Sequence, residues 1–188
     1  MNHVGCVSVC FLAVGLWLTA CSPQQHGQHA ETNPAAQAPS GAVAKVFIFV
    51  NNDCPIANRY APEIRRLHQL YAPRGIAFCL VHSDPQETQA SVRDHDREYG
   101  LNLPVLMDPD QSMARRSQAE VVPTAAVISA TGQLVYHGRI DDRFADIGRE
   151  RLEPSRHDLA EALNDVLAHR PVKISATKAI GCYLPHSR

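Results

Sequence analysis

The feature that most constrains this chain is a near-continuous apolar run, Lys45–Val50, which ends in two asparagines and an aspartate before Cys54 and Pro55. Such a run is typical of a central strand covered on both faces. Proline suits the first turn of a helix, because its missing N–H would have no partner there. Cys54 is therefore expected at an exposed helix start, where the N–H groups of Ile56 and Ala57 can stabilise a thiolate. A buried structural cysteine is the alternative, and the polar residues before Cys54 argue against it.

Patterns further along the chain predict strands and helices around this centre. Helices are predicted at 55–71, 85–99, 110–118 and 156–167, and strands at 45–50, 76–81, 103–107, 124–129 and 134–140. Asp84 and Ser155 are the predicted caps of the second and last helices, and Pro62 is predicted to kink the first. Residues 141–154 are polar and are expected to be irregular. This order of elements predicts an α/β fold with a mixed sheet and helices on both faces.

Composition limits the classes of function that the chain can serve. A length of 188 residues with 45% hydrophobic content predicts one globular domain plus extensions. The formal net charge of −1 gives no electrostatic basis for binding nucleic acid or an anionic membrane surface. The ten histidines include no pair at a spacing that demands metal, so no metal and no cofactor is predicted.

The first twenty residues indicate export. Residues 4–20 are apolar and uncharged, which matches the central segment of a secretory signal. The segment ends Leu-Thr-Ala-Cys21, which resembles a bacterial lipobox; this resemblance implies acylation of Cys21 and, with Ser22 next, sorting to the outer membrane. The first basic residue is Lys45, so the usual basic start is missing and an uncleaved signal anchor is the alternative. Either interpretation puts the domain outside the cytoplasm.

The predicted organisation has four parts: a signal peptide (1–20), a lipid-anchored flexible tether (21–41), a globular domain (42–169) and a C-terminal tail (170–188). Three cysteines then lie beyond the lipidated one, and in an oxidising compartment three thiols suggest one pair and one bystander. Cys79 lies in an apolar predicted strand and is expected to be inert core. Cys182 lies in a tail expected to be mobile, which could bring it to Cys54 at modest loop-closure cost.

The order of elements and three motifs resemble the thioredoxin superfamily. Cys54-Pro-Ile-Ala57 stands where that family has Cys-x-x-Cys, Pro62 stands where its active-site helix is kinked, and Val121-Val-Pro-Thr124 stands where it has a cis-proline loop. The chain is most similar to the redoxin branch, which includes the alkyl hydroperoxide reductase and thiol-specific antioxidant proteins. The resemblance covers about 42–167 and implies a thioredoxin-like three-layer sandwich, with a central mixed β-sheet flanked by helices.

The resemblance also implies site residues. The Val122–Pro123 bond would be cis and pack against Cys54, and the Val122 backbone would pair with an incoming peptide in the manner of an added strand. Pro55, Val122, Pro123 and Thr124 are the expected substrate-binding residues. Supporting roles are expected for two more side chains, Asn51 as a hydrogen-bond donor and Arg59 as a positive charge near the thiolate.

Departures from the family pattern narrow the chemistry. Ala57 replaces the second cysteine of the thioredoxin motif, so no local disulfide can form. Phe47 and Asn51 stand where peroxiredoxins have proline and threonine, which breaks the peroxidase signature. Asn58 stands where a copper-delivery relative has its second cysteine, which argues against that role. In several redoxin groups the resolving cysteine lies in the tail, and Cys182 is the candidate here; a structural staple or an intermolecular bond is the alternative.

Three functions follow. The first is a thiol–disulfide oxidoreductase of the cell envelope, with Cys54 as the nucleophile and Cys182 or an external thiol resolving the mixed disulfide. The second is a peroxiredoxin-like thiol peroxidase, in which Cys54 becomes a sulfenic acid. The third is a thioredoxin-fold binding or assembly module without catalysis. The expected partners are protein or small-molecule thiols and disulfides, with peroxide under the second hypothesis, and contact with the membrane is expected through Cys21 only.

Overall fold

The computed structural model describes residues 41–185. The predicted signal peptide, the predicted lipidation site Cys21 and the tether up to residue 40 lie outside these residues. In this described part of the chain, no helix combines the length and the apolar character needed to cross a membrane.

The domain alternates strands with helices. The helices are α1 (Pro55–Arg59), α2 (Ala61–Tyr71), α3 (Gln89–Tyr99), α4 (Ser112–Arg116) and α5 (Asp158–Leu167), with a short 3-10 turn at Ala72–Arg74. The strands are β1 (Ala44–Val50), β2 (Ile76–His82), β3 (Val105–Met107), β4 (Val121–Val122), β5 (Thr124–Ser129), β6 (Leu134–Gly138), β7 (Phe144–Asp146), β8 (Arg149–Glu150) and β9 (Cys182–Tyr183).

Five strands form the central mixed sheet in the order β3-β2-β1-β5-β6. β1 runs parallel to β2 and antiparallel to β5, so it occupies the middle of the sheet. Ile48 and Phe49 of β1 are fully buried, as expected for a strand covered on both faces. The fold is the predicted α/β thioredoxin-like sandwich, and its centre is the strand that leads into Cys54.

The first predicted helix is two helices rather than one kinked helix. Pro62 has no N–H to donate to the carbonyl of Asn58, and its ring would clash with that carbonyl in a continuous helix. The chain therefore breaks at Tyr60, whose N–H bonds the carbonyls of Ala57 and Asn58 before α2 begins. The Tyr60 hydroxyl donates to Asp141 at 2.6 Å, and burial, together with this carboxylate, raises the Tyr60 pKa. The break thus has a buried anchor.

The predicted start of the second helix is wrong by one turn. Asp84 caps a tight turn by accepting from the Gln86 N–H at 2.8 Å, and α3 begins only after Thr88. Thr88 and Ser91 form a reciprocal capping box. Glu87 was expected inside the helix, but its carboxylate is bonded to the loop before Cys54. The predicted end of this helix at residue 99 is confirmed, because Gly100 follows it in the left-handed conformation (φ 66°) that ends a helix.

Two predictions around the last helix are also corrected. Ser155 does not cap α5, because its hydroxyl donates to Asp142 at 2.6 Å and the helix begins after His157 without a side-chain cap. The stretch 141–154, expected to be irregular, contains the small antiparallel pair of β7 and β8. The Ser155 hydroxyl is bonded to Asp142, thirteen residues earlier in the chain, and is not available to cap the helix. The sequence pattern around Ser155 does not indicate this contact.

The tail is docked and not free. We call residues 175–185 the strap. Its first part runs beside β6, where the His137 N–H donates to the Ser175 carbonyl and the Thr177 N–H donates to the His137 carbonyl. Its last part is β9, which pairs antiparallel with β4. A Cβ at Gly138 would collide with Thr177, so glycine permits the close approach of strap and sheet.

Candidate active site

Cys54 is the N-cap of α1, as predicted, and Pro55 follows it in the first turn. The Ala57 N–H donates to the Cys54 sulfur at 3.4 Å, and the Cys54 thiol donates to the Val122 carbonyl at 3.3 Å. The sulfur thus sits between the start of a helix and the loop that precedes β5. A thiolate at this position would keep the Ala57 hydrogen bond and gain from the partial positive charge of the unpaired N–H groups.

The prediction that Cys54 is exposed is wrong. Its accessible fraction is 1%, and its sulfur lies beside the Val122 carbonyl of β4 and beside Cys182 of the strap. The sequence pattern correctly indicates a helix N-terminus, but these two neighbours come from segments far along the chain.

The loop opposite Cys54 contains the cis peptide bond Val122–Pro123, as predicted. The Thr124 hydroxyl donates to the Val121 carbonyl at 2.6 Å, which ties the two ends of the loop together. Val122 is fully buried, and its carbonyl faces the Cys54 thiol. Pro55, Val122, Pro123 and Thr124 are thus brought to one edge of the sheet.

Cys182 lies at this edge too. It pairs with Val122 in the register of β4 and β9, so it stands opposite the residue whose carbonyl accepts the Cys54 thiol. Burial first, and then the hydrogen bond and charge of Cys54, raise the Cys182 pKa to about 12. Both residues are thiols in this structure. The structure therefore places Cys182 beside Cys54, as the loop-closure argument and the family resemblance had both suggested.

Gly181 makes this approach possible. A Cβ at this position would overlap the Val122 carbonyl, so a larger residue would push the strap away from β4. The Leu184 N–H donates to the Glu120 carbonyl at 2.9 Å, and the Gln111 side chain donates to the Pro185 carbonyl. These two hydrogen bonds hold the strap on the C-terminal side of Cys182.

Cys79 is separate from this site. It lies in β2, is 7% exposed and donates to the Leu80 carbonyl at 3.4 Å. Burial raises the Cys79 pKa to about 12, which suppresses the reactive thiolate.

Comparison with known proteins assigns the family. The model of the AhpC/TSA family matches residues 20–137, more than half of the chain. The chain belongs to the AhpC/TSA family. A thiol-disulfide oxidoreductase ResA of Halalkalibacterium halodurans is 23% identical to this AhpC/TSA protein over 112 residues, which make up 58% of this chain and 62% of that protein. The match therefore spans less than two thirds of that relative.

Solved structures give the same fold. A conserved protein of Geobacillus kaustophilus, described as uncharacterised, is 26% identical with a TM-score of 0.70 and coverage of 80% of both chains. A hypothetical protein of Sinorhizobium meliloti 1021 is 28% identical with a TM-score of 0.66, over 77% of this chain and 80% of that one. A thioredoxin-like protein solved in its oxidised form has a TM-score of 0.52 at 19% identity, over 69% and 81% of the two chains, and shows the fold alone.

A polar network surrounds the loop before Cys54, and the sequence patterns do not predict it. Glu87 accepts the Asn52 N–H at 2.6 Å and bonds the His82 ring at 2.8 Å. Asn58 donates to the Asn52 carbonyl at 3.0 Å and bonds the His95 ring at 2.8 Å. The loop before Cys54 is thus held at both the N–H and the carbonyl of Asn52. The contacts span several elements, so no local pattern marks them.

The two expected supporting residues have other contacts. Asn51 accepts the Asp53 N–H at 3.1 Å and so shapes the turn that leads to Cys54. The Arg59 side chain is 68% exposed and pairs with Glu150 at 3.1 Å. The structure therefore gives Asn51 a role in the turn, and it directs the Arg59 charge to a surface carboxylate.

One group of side chains in residues 41–185 approaches the spacing of metal ligands. Ligand atoms of Glu63, Asp141 and His157 lie within 4.8 Å of one another. Both Glu63 oxygens already accept bonds from Arg66 at 2.7 Å, and Asp141 accepts from the Tyr60 hydroxyl. Because both Glu63 oxygens and one of the two Asp141 oxygens already have protein partners, we assign no metal role to the group.

Proposed function

We propose that the protein is a thiol–disulfide oxidoreductase of the cell envelope, with Cys54 as the nucleophile and Cys182 as the resolving cysteine. The observation that supports it most directly is the pairing of Cys182 with Val122, whose carbonyl accepts the Cys54 thiol. Family membership and the ResA relative support the same kind of chemistry. No second cysteine lies within α1, so a partner must come from elsewhere, and Cys182 is at hand.

The first step of the proposed reaction is attack by the Cys54 thiolate on one sulfur of a substrate disulfide. A bond forms between Cys54 and that sulfur, the substrate S–S bond breaks, and the other sulfur leaves as a thiolate and takes a proton from solvent. The Ala57 N–H holds the attacking charge before the step. We expect a bulky substrate to reach Cys54 only when the strap leaves β4, because Cys54 is 1% exposed and Cys182 of the strap lies beside its sulfur.

The second step is resolution by Cys182. Its sulfur attacks Cys54, the Cys54–Cys182 disulfide forms, and the second substrate sulfur leaves with the proton that Cys182 gives up. The substrate gains two electrons and the protein loses two. Burial first, and then the hydrogen bond and charge of Cys54, raise the Cys182 pKa. The contribution of Cys54 is lost once its sulfur is held in the mixed disulfide, which eases deprotonation of Cys182 for this attack.

The location in the envelope rests on the sequence of residues 4–21, with Cys21 as the lipidation site. Expression of the full chain and of Cys21→Ala, followed by membrane fractionation, tests this part. The full chain is expected in the membrane fraction and the variant is expected to be released from it. Equal membrane retention of both would contradict a lipid anchor and would support an uncleaved signal anchor.

Reduction of insulin by the full-length protein, with glutathione as the electron source, tests the activity. Cys54→Ser is expected to abolish it and Cys182→Ser to leave the protein trapped as a mixed disulfide. Peroxide is the control substrate: consumption faster than by free cysteine would support the peroxidase alternative. A Cys54→Ser strain with full cellular function would instead support a binding module.

A further inference from the structure

The turn that leads into Cys54 is only weakly closed by its own backbone. The Cys54 N–H donates to the Asn51 carbonyl at 3.5 Å, which is longer than an ordinary N–H···O hydrogen bond. Asn52, in the middle of this turn, has both backbone groups bonded to side chains from elsewhere. Its N–H donates to Glu87, and its carbonyl accepts from Asn58. The position of Cys54, two residues further on, therefore depends on these two side chains.

A buried histidine holds each of the two side chains. Glu87 accepts the Asn52 N–H with Oε1 at 2.6 Å and bonds His82 Nδ1 with Oε2 at 2.8 Å. Asn58 uses its Nδ2 group to donate to the Asn52 carbonyl, so its Oδ1 accepts from His95 Nε2 at 2.8 Å. His82 is fully buried and His95 is 7% exposed. Two chains of hydrogen bonds, one from β2 and one from α3, thus end on the same residue of the turn.

His82 can bond the side chain at position 87 in either of its two neutral tautomers. Its other ring nitrogen, Nε2, is buried and has no hydrogen-bond partner among residues 41–185. Moving the ring proton from Nδ1 to Nε2 therefore breaks no other bond. Nδ1 donates to a carboxylate in one tautomer and accepts from an amide in the other. The histidine consequently does not require a charged partner.

We propose that Glu87 is a positioning residue for Cys54, which acts through its hydrogen bond to the Asn52 N–H and not through its negative charge. The proposal rests on the function proposed above, because it takes Cys54 as the nucleophile. Misplacement of a reacting group by about 1 Å can lower a rate by about a hundredfold. An anchor of the turn before Cys54 can therefore control the attack on a disulfide.

Three substitutions at Glu87 separate the hydrogen bond from the charge. Glu87→Gln keeps the length of the side chain and an oxygen for the Asn52 N–H, and its amide can donate to His82 Nδ1. Glu87→Asp keeps the charge but is one methylene shorter, so the 2.6 Å and 2.8 Å contacts cannot both be kept. Glu87→Ala removes the hydrogen bond and the charge together. Glu98→Ala, at an exposed position of α3, is the matched control.

Steady-state reduction of insulin by the full-length variants is the functional measurement. We expect kcat of Glu87→Gln and of the Glu98→Ala control within about threefold of the wild type, and kcat of Glu87→Asp and Glu87→Ala lower by about tenfold or more. KM should stay unchanged, because the loop at Val122–Pro123 is untouched. An active Glu87→Asp beside an inactive Glu87→Gln would overturn the inference, because that order would show that the charge is needed.

Hydrogen exchange of the Asn52 amide, measured by NMR, tests the anchor without catalysis. This N–H should exchange about tenfold or more faster in Glu87→Ala than in the wild type, and at about the wild-type rate in Glu87→Gln. The amide of Ile48, fully buried in β1, is the internal control and should keep its rate in every variant. Unchanged exchange at Asn52 in Glu87→Ala, or a parallel rise at Ile48, would contradict a local anchor.

The outcomes separate the two proposals. If the wild type does not reduce insulin, the proposed function fails, and exchange of the Asn52 amide still decides whether Glu87 anchors the turn. If the wild type is active and Glu87→Ala is equally active, the positioning inference alone fails.

Discussion

Cys54 and Cys79 are both buried, but for different reasons. Cys79 lies within β2, between neighbouring strands, and the apolar core that surrounds it is part of the fold. Cys54 lies at a helix start, beside the Val122 carbonyl of β4, and a docked terminal segment pairs with that strand. Burial alone therefore does not decide whether a cysteine can react. Two properties decide it: whether the segment over the cysteine can be displaced without unfolding the domain, and whether backbone N–H groups are placed to stabilise the thiolate.

Replacing each of the two cysteines should give the largest difference. Cys54→Ser is expected to lower insulin-reducing activity by about a thousandfold or more, because the nucleophile is lost. Cys79→Ser should keep activity within about twofold, because the Cys79 thiol takes no part in the proposed reaction. This substitution should instead lower the free energy of unfolding. Steady-state rates of the two variants check this. Equal losses in both would show that the two sites are not distinct.

Displacing the strap should change one cysteine only. In the reduced protein, Gly181→Ala is expected to raise the rate of Cys54 alkylation by iodoacetamide about tenfold, because the cover is removed. Cys79 should stay unreactive in the same sample, which serves as an internal control. Time-resolved mass spectrometry of the alkylated peptides provides the measurement. A parallel rise at Cys79 would mean that the substitution loosens the whole domain.

The site was only partly predictable from sequence. Local rules place Cys54 before Pro55 at a helix start, and family resemblance supplies the cis bond at Val122–Pro123. The cover over Cys54 depends on where the distant Cys182 docks, and no local pattern carries that information. Glu87 illustrates the same limit, because the pattern places it inside the predicted helix 85–99 whereas its carboxylate accepts the Asn52 N–H of the loop before Cys54.

The pH dependence of stability should reveal the buried Cys79. Its pKa is raised from 9.0 in a free thiol to about 12, so folding favours the protonated form. Below about pH 9 this contribution is fully present, and it is lost as the pH rises toward 12, because the unfolded chain ionises first. The free energy of unfolding should fall by up to about 1.4 kcal/mol per pH unit from this group.

Cys79→Val is the matched variant for this titration, since it keeps an apolar side chain in β2. Both reduced proteins are denatured chemically between about pH 8 and 11. The free energy of unfolding of the wild type should fall relative to that of Cys79→Val as the pH rises. Parallel curves would contradict the raised Cys79 pKa.

The smallest effect is expected at Arg59. Its exposed side chain pairs with Glu150 on the surface, and such pairs contribute about 0–1 kcal/mol. Arg59→Ala should therefore leave insulin-reducing activity within about twofold of the wild type. A larger loss of activity at unchanged stability would restore the sequence-based hypothesis that Arg59 supports the thiolate.

Disulfide mapping of the oxidised full-length protein tests the central claim most directly. The protein is treated with a mild oxidant, alkylated and digested, and its cross-linked peptides are identified by mass spectrometry. The account predicts one Cys54–Cys182 disulfide and an alkylated Cys79. Cys54 recovered as a free thiol, or joined to Cys79, would contradict it.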